Sequence, residues 1–163
     1  MPECDGREAG LIATPHSADI SEEMTNETYA AIALEAYGVL QTWRAYSAMY
    51  AMLHPDSQAA VSWGRFACAN AKEHGTAEDP LGTIFSTEVA TVQLRDFDYG
   101  VTGQHYDAAA QINYRQVVGS IAKTSKVGNT TFLVMVNGQY RPFYGNDPNL
   151  IATFPETCDL IDA

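Results

Sequence analysis

The chain has 163 residues, 46% of them hydrophobic, and a formal net charge of -11, with Lys+Arg 9 against Asp+Glu 20. That length fills one hydrophobic core, whereas two independent domains would each be marginal. The acidic field repels phosphate backbones and anionic lipid surfaces, which argues against a nucleic-acid partner, and no apolar run reaches the roughly 20 residues of a membrane-spanning helix.

Between Met1 and Glu23 the acids Glu3, Asp5, Glu8, Asp19, Glu22 and Glu23 face Arg7 alone, with no helical or alternating pattern. Residues 1–22 read as a flexible acidic leader and 23–163 as a single domain. Such a leader suits an exported chain whose targeting segment has been removed, and equally the frayed end of a cytoplasmic protein.

Ser21 with Glu22 and Glu23 has the form of an N-cap with acids in the first turn. Beyond it Tyr29, Ala33, Ala36, Tyr37, Leu40 and Trp43 recur at helical spacing, and the pattern runs on through Tyr46, Met49, Tyr50 and Leu53 to a break at Pro55. A short helical turn is expected there, followed by a helix capped by Ser62, carrying Trp63, Phe66, Ala67 and Asn70, and ending at Gly75.

Strand patterns follow. Ala90, Val92 and Leu94 alternate with Thr91, Gln93 and Arg95, and Ala110, Ile112 and Tyr114 alternate with Gln111, Asn113 and Arg115, so each strand is expected to be half-buried. Thr131 to Val136 is apolar on both faces, as a central strand would be. Asn137-Gly138 predicts a two-residue type I′ hairpin leading into a strand over Gln139 to Tyr144. Helices first and strands afterwards, without βαβ alternation, predict an α+β domain with helices on one face of an antiparallel sheet.

Trp43, Tyr46, Tyr50, Leu53, Pro55, Ser57, Val61-Ser62 and Phe66 resemble the helical half of the nuclear-transport-factor-two-like (cystatin-like) superfamily. Val101-Thr102-Gly103, Tyr106, Ala108-Ala109, Tyr114, Gln116, Phe132-Leu133-Val134 and Gly138 to Gly145 are similar to its sheet. The closest likeness is to the non-catalytic N-terminal domain of penicillin-binding transpeptidases and to stand-alone secreted relatives. Tyr140 stands where that group usually has tryptophan. The match covers roughly Thr28 to Phe154, and such spacing patterns speak for a fold more than for a function.

The resemblance implies a cone: a curved antiparallel sheet with the N-terminal helices in its concave face. It implies a non-catalytic binding or scaffold domain, with a small apolar ligand in a pocket lined by Trp43, Tyr46, Tyr50, Trp63, Tyr114 and Tyr140, and homodimerisation through the open sheet face. Plain core packing is the competing reading of those aromatics. No cofactor or metal is expected.

Enzymes of the superfamily, of the ketosteroid isomerase and scytalone dehydratase kind, pair a buried carboxylate or histidine with a tyrosine or protonated acid. Asp96, Asp98 and His105 are the nearest equivalents in type, but they lie beside an expected strand end, where a solvated rim is the simpler reading. His54 and Asp56 flank Pro55, which suits an N-cap by Asp56 better than a metal site. There is no phosphate loop, His-Glu-x-x-His, Cys-x-x-Cys or Gly-x-Ser-x-Gly motif.

Cys4, Cys68 and Cys158 permit one disulfide and a free thiol, or three thiols. In the resembled fold the third helix and the tail flank one edge of the helical layer, which implies a Cys68–Cys158 bridge, a free Cys4 and an oxidising compartment.

Overall fold

The computed structural model describes residues 24–120 and 122–161. The leader, Cys4 and the Ser21 cap lie outside them. In chain order the described elements are helices Asn26–Thr42 (α1), Tyr46–Met52 (α2), Pro55–Ala60 (α3) and Trp63–His74 (α4), strands Thr83–Tyr99 (β1), Gln104–Gly119 (β2), Thr124–Val136 (β3) and Gln139–Pro142 (β4), and helix Pro148–Thr153 (α5). The fold is α+β, as the order of patterns predicts. The four strands pair antiparallel in the order β1-β2-β3-β4 and curl into a half-barrel. Register shifts at Ile84/Ser86, Val89/Thr91 and Arg95/Phe97 supply bends, since an extra residue on one strand increases local twist.

Helix α1 begins at Asn26, with the Thr25 side chain accepting from the Thr28 N–H. Its buried residues are Ala30, Leu34 and Gly38, one position round from the expected face, and Tyr29 and Trp43 are exposed. The periodic run is also not one helix. Arg44 has φ 55, a left-handed conformation that ends α1 and re-aims the chain into α2. Ala30 and Leu34 pack with Ala110, Ile112, Leu133 and Tyr140 of the sheet, where each fully buried leucine or isoleucine contributes about 1.5 to 3 kcal/mol.

A second cluster joins Tyr46, Met49, Leu53, Val61, Phe66, Ala71 and Ile151, the helical layer with α5. A third, built on Phe97, Tyr99 and Ala109, stacks Phe97 on Phe132 at 4.3 Å between ring centres. Ser57, Tyr99 and Tyr144 pin the sheet to α3. The Tyr144 N–H donates to Ser57 Oγ (2.9 Å), the Tyr99 hydroxyl lies 3.1 Å from that oxygen, and the same hydroxyl donates to the Tyr144 carbonyl (2.7 Å).

Ser62 caps α4 and Gly75, at φ 76, ends it, as expected. The cap of α3 is His54 rather than Asp56, because the buried imidazole Nδ1 accepts from the Asp56 N–H at 3.1 Å. Asn137 (φ 51) and Gly138 (φ 80) form the expected hairpin between Val136 and Gln139. Ala110 and Ile112 are buried and Val92 packs against the core as predicted, whereas Ala90 and Leu94 are exposed; the bulge after Val89 takes Ala90 out of the alternation. Strand β3 pairs with β2 over Thr124 to Leu133 and with β4 over Leu133 to Val136, so only Leu133 has partners on both sides and the run Thr131 to Val136 is not central throughout.

The Cys68 and Cys158 sulfurs are bonded, with Cα atoms 5.8 Å apart, across 90 residues of sequence. The bridge holds the C-terminal segment against α4. Ser62 Oγ donates to Glu156 Oε2 (2.5 Å), and Arg65 Nε lies 2.7 Å from Glu156 Oε1.

Candidate functional site

Between α1, the sheet it packs on and the C-terminal half of α4, a cavity of about 260 Å³ remains. One wall of it is set by a small residue. A Cβ on Gly38 would meet Thr87 Oγ1 at 2.4 Å, so glycine lets α1 close down on β1, and both residues line the space. Three tyrosines from separate elements reach it: Tyr37 from α1, Tyr114 from β2 and Tyr144 from the segment after β4. None of their hydroxyls hydrogen-bonds to another side chain or backbone group among the described residues. By contrast, the hydroxyls of Tyr46, Tyr50, Tyr99 and Tyr106 all have partners.

Burial raises the pKa of all three cavity tyrosines. Tyr37 is pushed up by burial first, then by Tyr144 and Tyr114, which places the three phenols within electrostatic reach of one another. Tyr144 is pushed up to about 12 by burial and then by the Glu73 carboxylate, and Tyr114 rises through burial. All three are neutral hydroxyls at physiological pH, able to donate to an acceptor oxygen.

The rest of the lining includes Gln41, Asn70, Gln116, Asn129 and Thr131, together with His74 and Glu73 at the end of α4. Gln116 is fixed, its Nε2 donating to Gln41 Oε1 (2.9 Å) and Thr87 Oγ1 (3.2 Å). His74 Nε2 lies 3.8 Å from Glu73 Oε2, and burial lowers the histidine's pKa against the opposing pull of that carboxylate. The His74 carbonyl accepts from Arg44 Nε at 2.6 Å, and the same guanidinium donates to the Gly82 carbonyl, which ties the α1–α2 turn to the start of β1.

The six aromatics expected to share a pocket are divided. Tyr114 lines the cavity. Tyr46, Tyr50 and Trp63 belong to the helical cluster, where Tyr46 donates to the Gly75 carbonyl (2.6 Å) and Tyr50 to that of Val61 (2.8 Å). Tyr140 is buried with Leu133 and Ile112, and Trp43 is 73% exposed at the end of α1. The convergence of Tyr46, Tyr50 and Tyr114 on one interior does not hold, because the break at Arg44 gives α1 and α2 different faces to bury. Tyr37 was legible only as core, and Tyr144 carried no signal beyond a strand position.

Asp96, Asp98 and His105 lie at the far end of the β1–β2 pair. His105 is in β2, with Nδ1 2.6 Å from Asp98 and Nε2 3.1 Å from Asp107 and 3.7 Å from Asp96. All four residues are exposed, a solvated rim, and the hydrogen bond to Asp98 raises the pKa of His105 first of all.

No family model, curated protein or solved structure matches this chain. No helix among the described residues is long and apolar enough to cross a membrane.

Proposed function

We propose that this chain is a non-catalytic binding module of the nuclear-transport-factor-two-like (cystatin-like) type, and that its cone holds a small, largely apolar ligand bearing a neutral carbonyl. The observation that carries this reading is the set of three hydroxyls, Tyr37, Tyr114 and Tyr144, lining one cavity without hydrogen-bond partners among the described residues. The three tyrosines are half-buried, so their hydroxyls are open to water in the cavity, and an acceptor oxygen that meets two or three of them replaces that water. Glu73 on the same wall disfavours an anionic head, since its charge already raises the pKa of Tyr144. The Cys68–Cys158 disulfide supports an oxidising, extracellular or cell-envelope location.

His74 favours a second reading, an isomerase or dehydratase. A half-buried histidine of lowered pKa is neutral at pH 7 and suited to act as a base, while a tyrosine polarises a carbonyl. Cyclohexanone in deuterium oxide separates the two. Shifts of the Tyr37, Tyr114 and Tyr144 ring signals on titration support binding. Exchange of the ketone α-hydrogens for deuterium, lost in His74→Gln, would establish proton transfer instead. Absence of any ring shift at millimolar ketone would overturn both readings.

A further inference from the structure

Beside the tyrosine cavity lies a second space of about 420 Å³. The two share Gln41, Glu73, His74, Gln116 and Asn129, so they abut along the inner face of the sheet. The hydrogen-bonded pair Gln41–Gln116 belongs to both linings and marks the junction. The chambers differ in chemistry. The inner one ends in three tyrosines, whereas the outer one is walled by Leu81 just before β1, Ile84 at its start, Val118 near the end of β2 and Val127 on β3. Leu81 and Val127 are 56% and 42% exposed and face open space, whereas Ile84 is buried.

We infer that the cleft is bipartite and takes an elongated neutral ligand, with a carbonyl head against Tyr37, Tyr114 and Tyr144 and an unbranched hydrocarbon tail running past Gln41–Gln116 onto Leu81, Ile84, Val118 and Val127. This rests on the binding reading above and adds the ligand class. Each chamber supplies one of the two interactions such a molecule needs, donors at one end and apolar area at the other, and small-molecule sites combine them in this way. The tail also explains why aliphatic side chains sit at the mouth of an otherwise polar cleft: covering them removes apolar surface from water. Arg44 lines the outer chamber but donates to the carbonyls of His74 and Gly82, so it closes that chamber's rim rather than offering itself to an anionic head.

The test is a series of 2-alkanones from 2-butanone to 2-decanone, titrated into the full chain and followed by NMR. Affinity should rise about fourfold per added methylene over the first several carbons, the increment for burying one CH₂, and then level off as the tail outgrows the chamber. In a Leu81→Gln/Val127→Glu variant, at two exposed positions, 2-butanone should bind as before while the dependence on chain length collapses. If 2-butanone binds but longer ketones bind no better, or if their advantage survives in the double variant, the tail site is wrong and the carbonyl reading stands. If no ketone of any length binds, the carbonyl reading and the tail site fall together.

Discussion

Gly38 and Thr87 are in contact so close that a Cβ at position 38 would lie 2.4 Å from the threonine Oγ1 and 2.6 Å from its Cβ. The separation of α1 from β1 is therefore set by the absence of a side chain. On an exposed helix, glycine to alanine gains about 1 kcal/mol in propensity. At position 38 overpacking, which costs about 1 to 3 kcal/mol, opposes and exceeds that gain. Gly38→Ala should lower the urea midpoint, with a parallel loss of ketone binding as α1 is pushed off the sheet. An unchanged or higher midpoint would mean that the helix does not sit where this contact puts it.

Tyr46 and Trp43 were alike in sequence and are opposite in structure. Tyr46 is buried and donates to the Gly75 carbonyl, so Tyr46→Ala should cost roughly 3 kcal/mol or more, as large aromatic deletions do. Trp43→Ala, at an exposed site, should stay within about 0.5 kcal/mol. Chemical denaturation of both variants is the check. A loss below about 1 kcal/mol at Tyr46 would undo the helical cluster.

Much of the fold was legible because local chemistry decided it. Ser62 and Gly75 bracket α4, Pro55 opens α3, and Asn137-Gly138 can hardly form anything but a tight hairpin. What was not legible depended on single backbone events. The left-handed turn at Arg44 breaks a pattern that otherwise reads as one helix, and the bulge after Val89 takes Ala90 out of the inward-facing set of β1. The site was less legible still. Tyr37, Tyr114 and Tyr144 are separated in sequence by 77 and 30 positions, and only sheet curl and the closeness of α1 at Gly38 bring them to one cavity.

Counting thiols tests the bridge. Unfolded without reductant, the protein should show one reactive thiol, from Cys4. Closing a loop of 90 residues corresponds to about 4 to 5 kcal/mol in the chain-entropy picture, so reductant should lower the midpoint markedly in the parent and in Cys4→Ser, and not in Cys68→Ser. Three reactive thiols would contradict the bridge and remove the residue-level support for an oxidising compartment.

Acid sensitivity follows from one buried and one half-buried imidazole. Burial lowers the pKa of His54 and of His74 below the ordinary 6.5. Between the ordinary and the folded value the unfolded chain binds more protons. Stability should therefore be level with respect to these groups above about pH 6.5 and be lost as pH falls below it. His105, raised by Asp98, runs the other way, but it is fully exposed and screened by solvent. Urea midpoints should fall between pH 7.5 and 5.5, and fall less in His54→Asn, which keeps a capping side chain for α3. Equal slopes in parent and variant would remove His54 from the account.

The most direct test of the binding claim is the dissociation constant of cyclohexanone for Tyr114→Phe against the parent. The Tyr114 hydroxyl has no hydrogen bond to lose among the described residues, so the variant should fold with unchanged stability. Removing one neutral donor to the ligand should weaken binding about three- to tenfold. An equal dissociation constant in a folded variant would contradict the account, because the hydroxyl would then make no contact with the ligand.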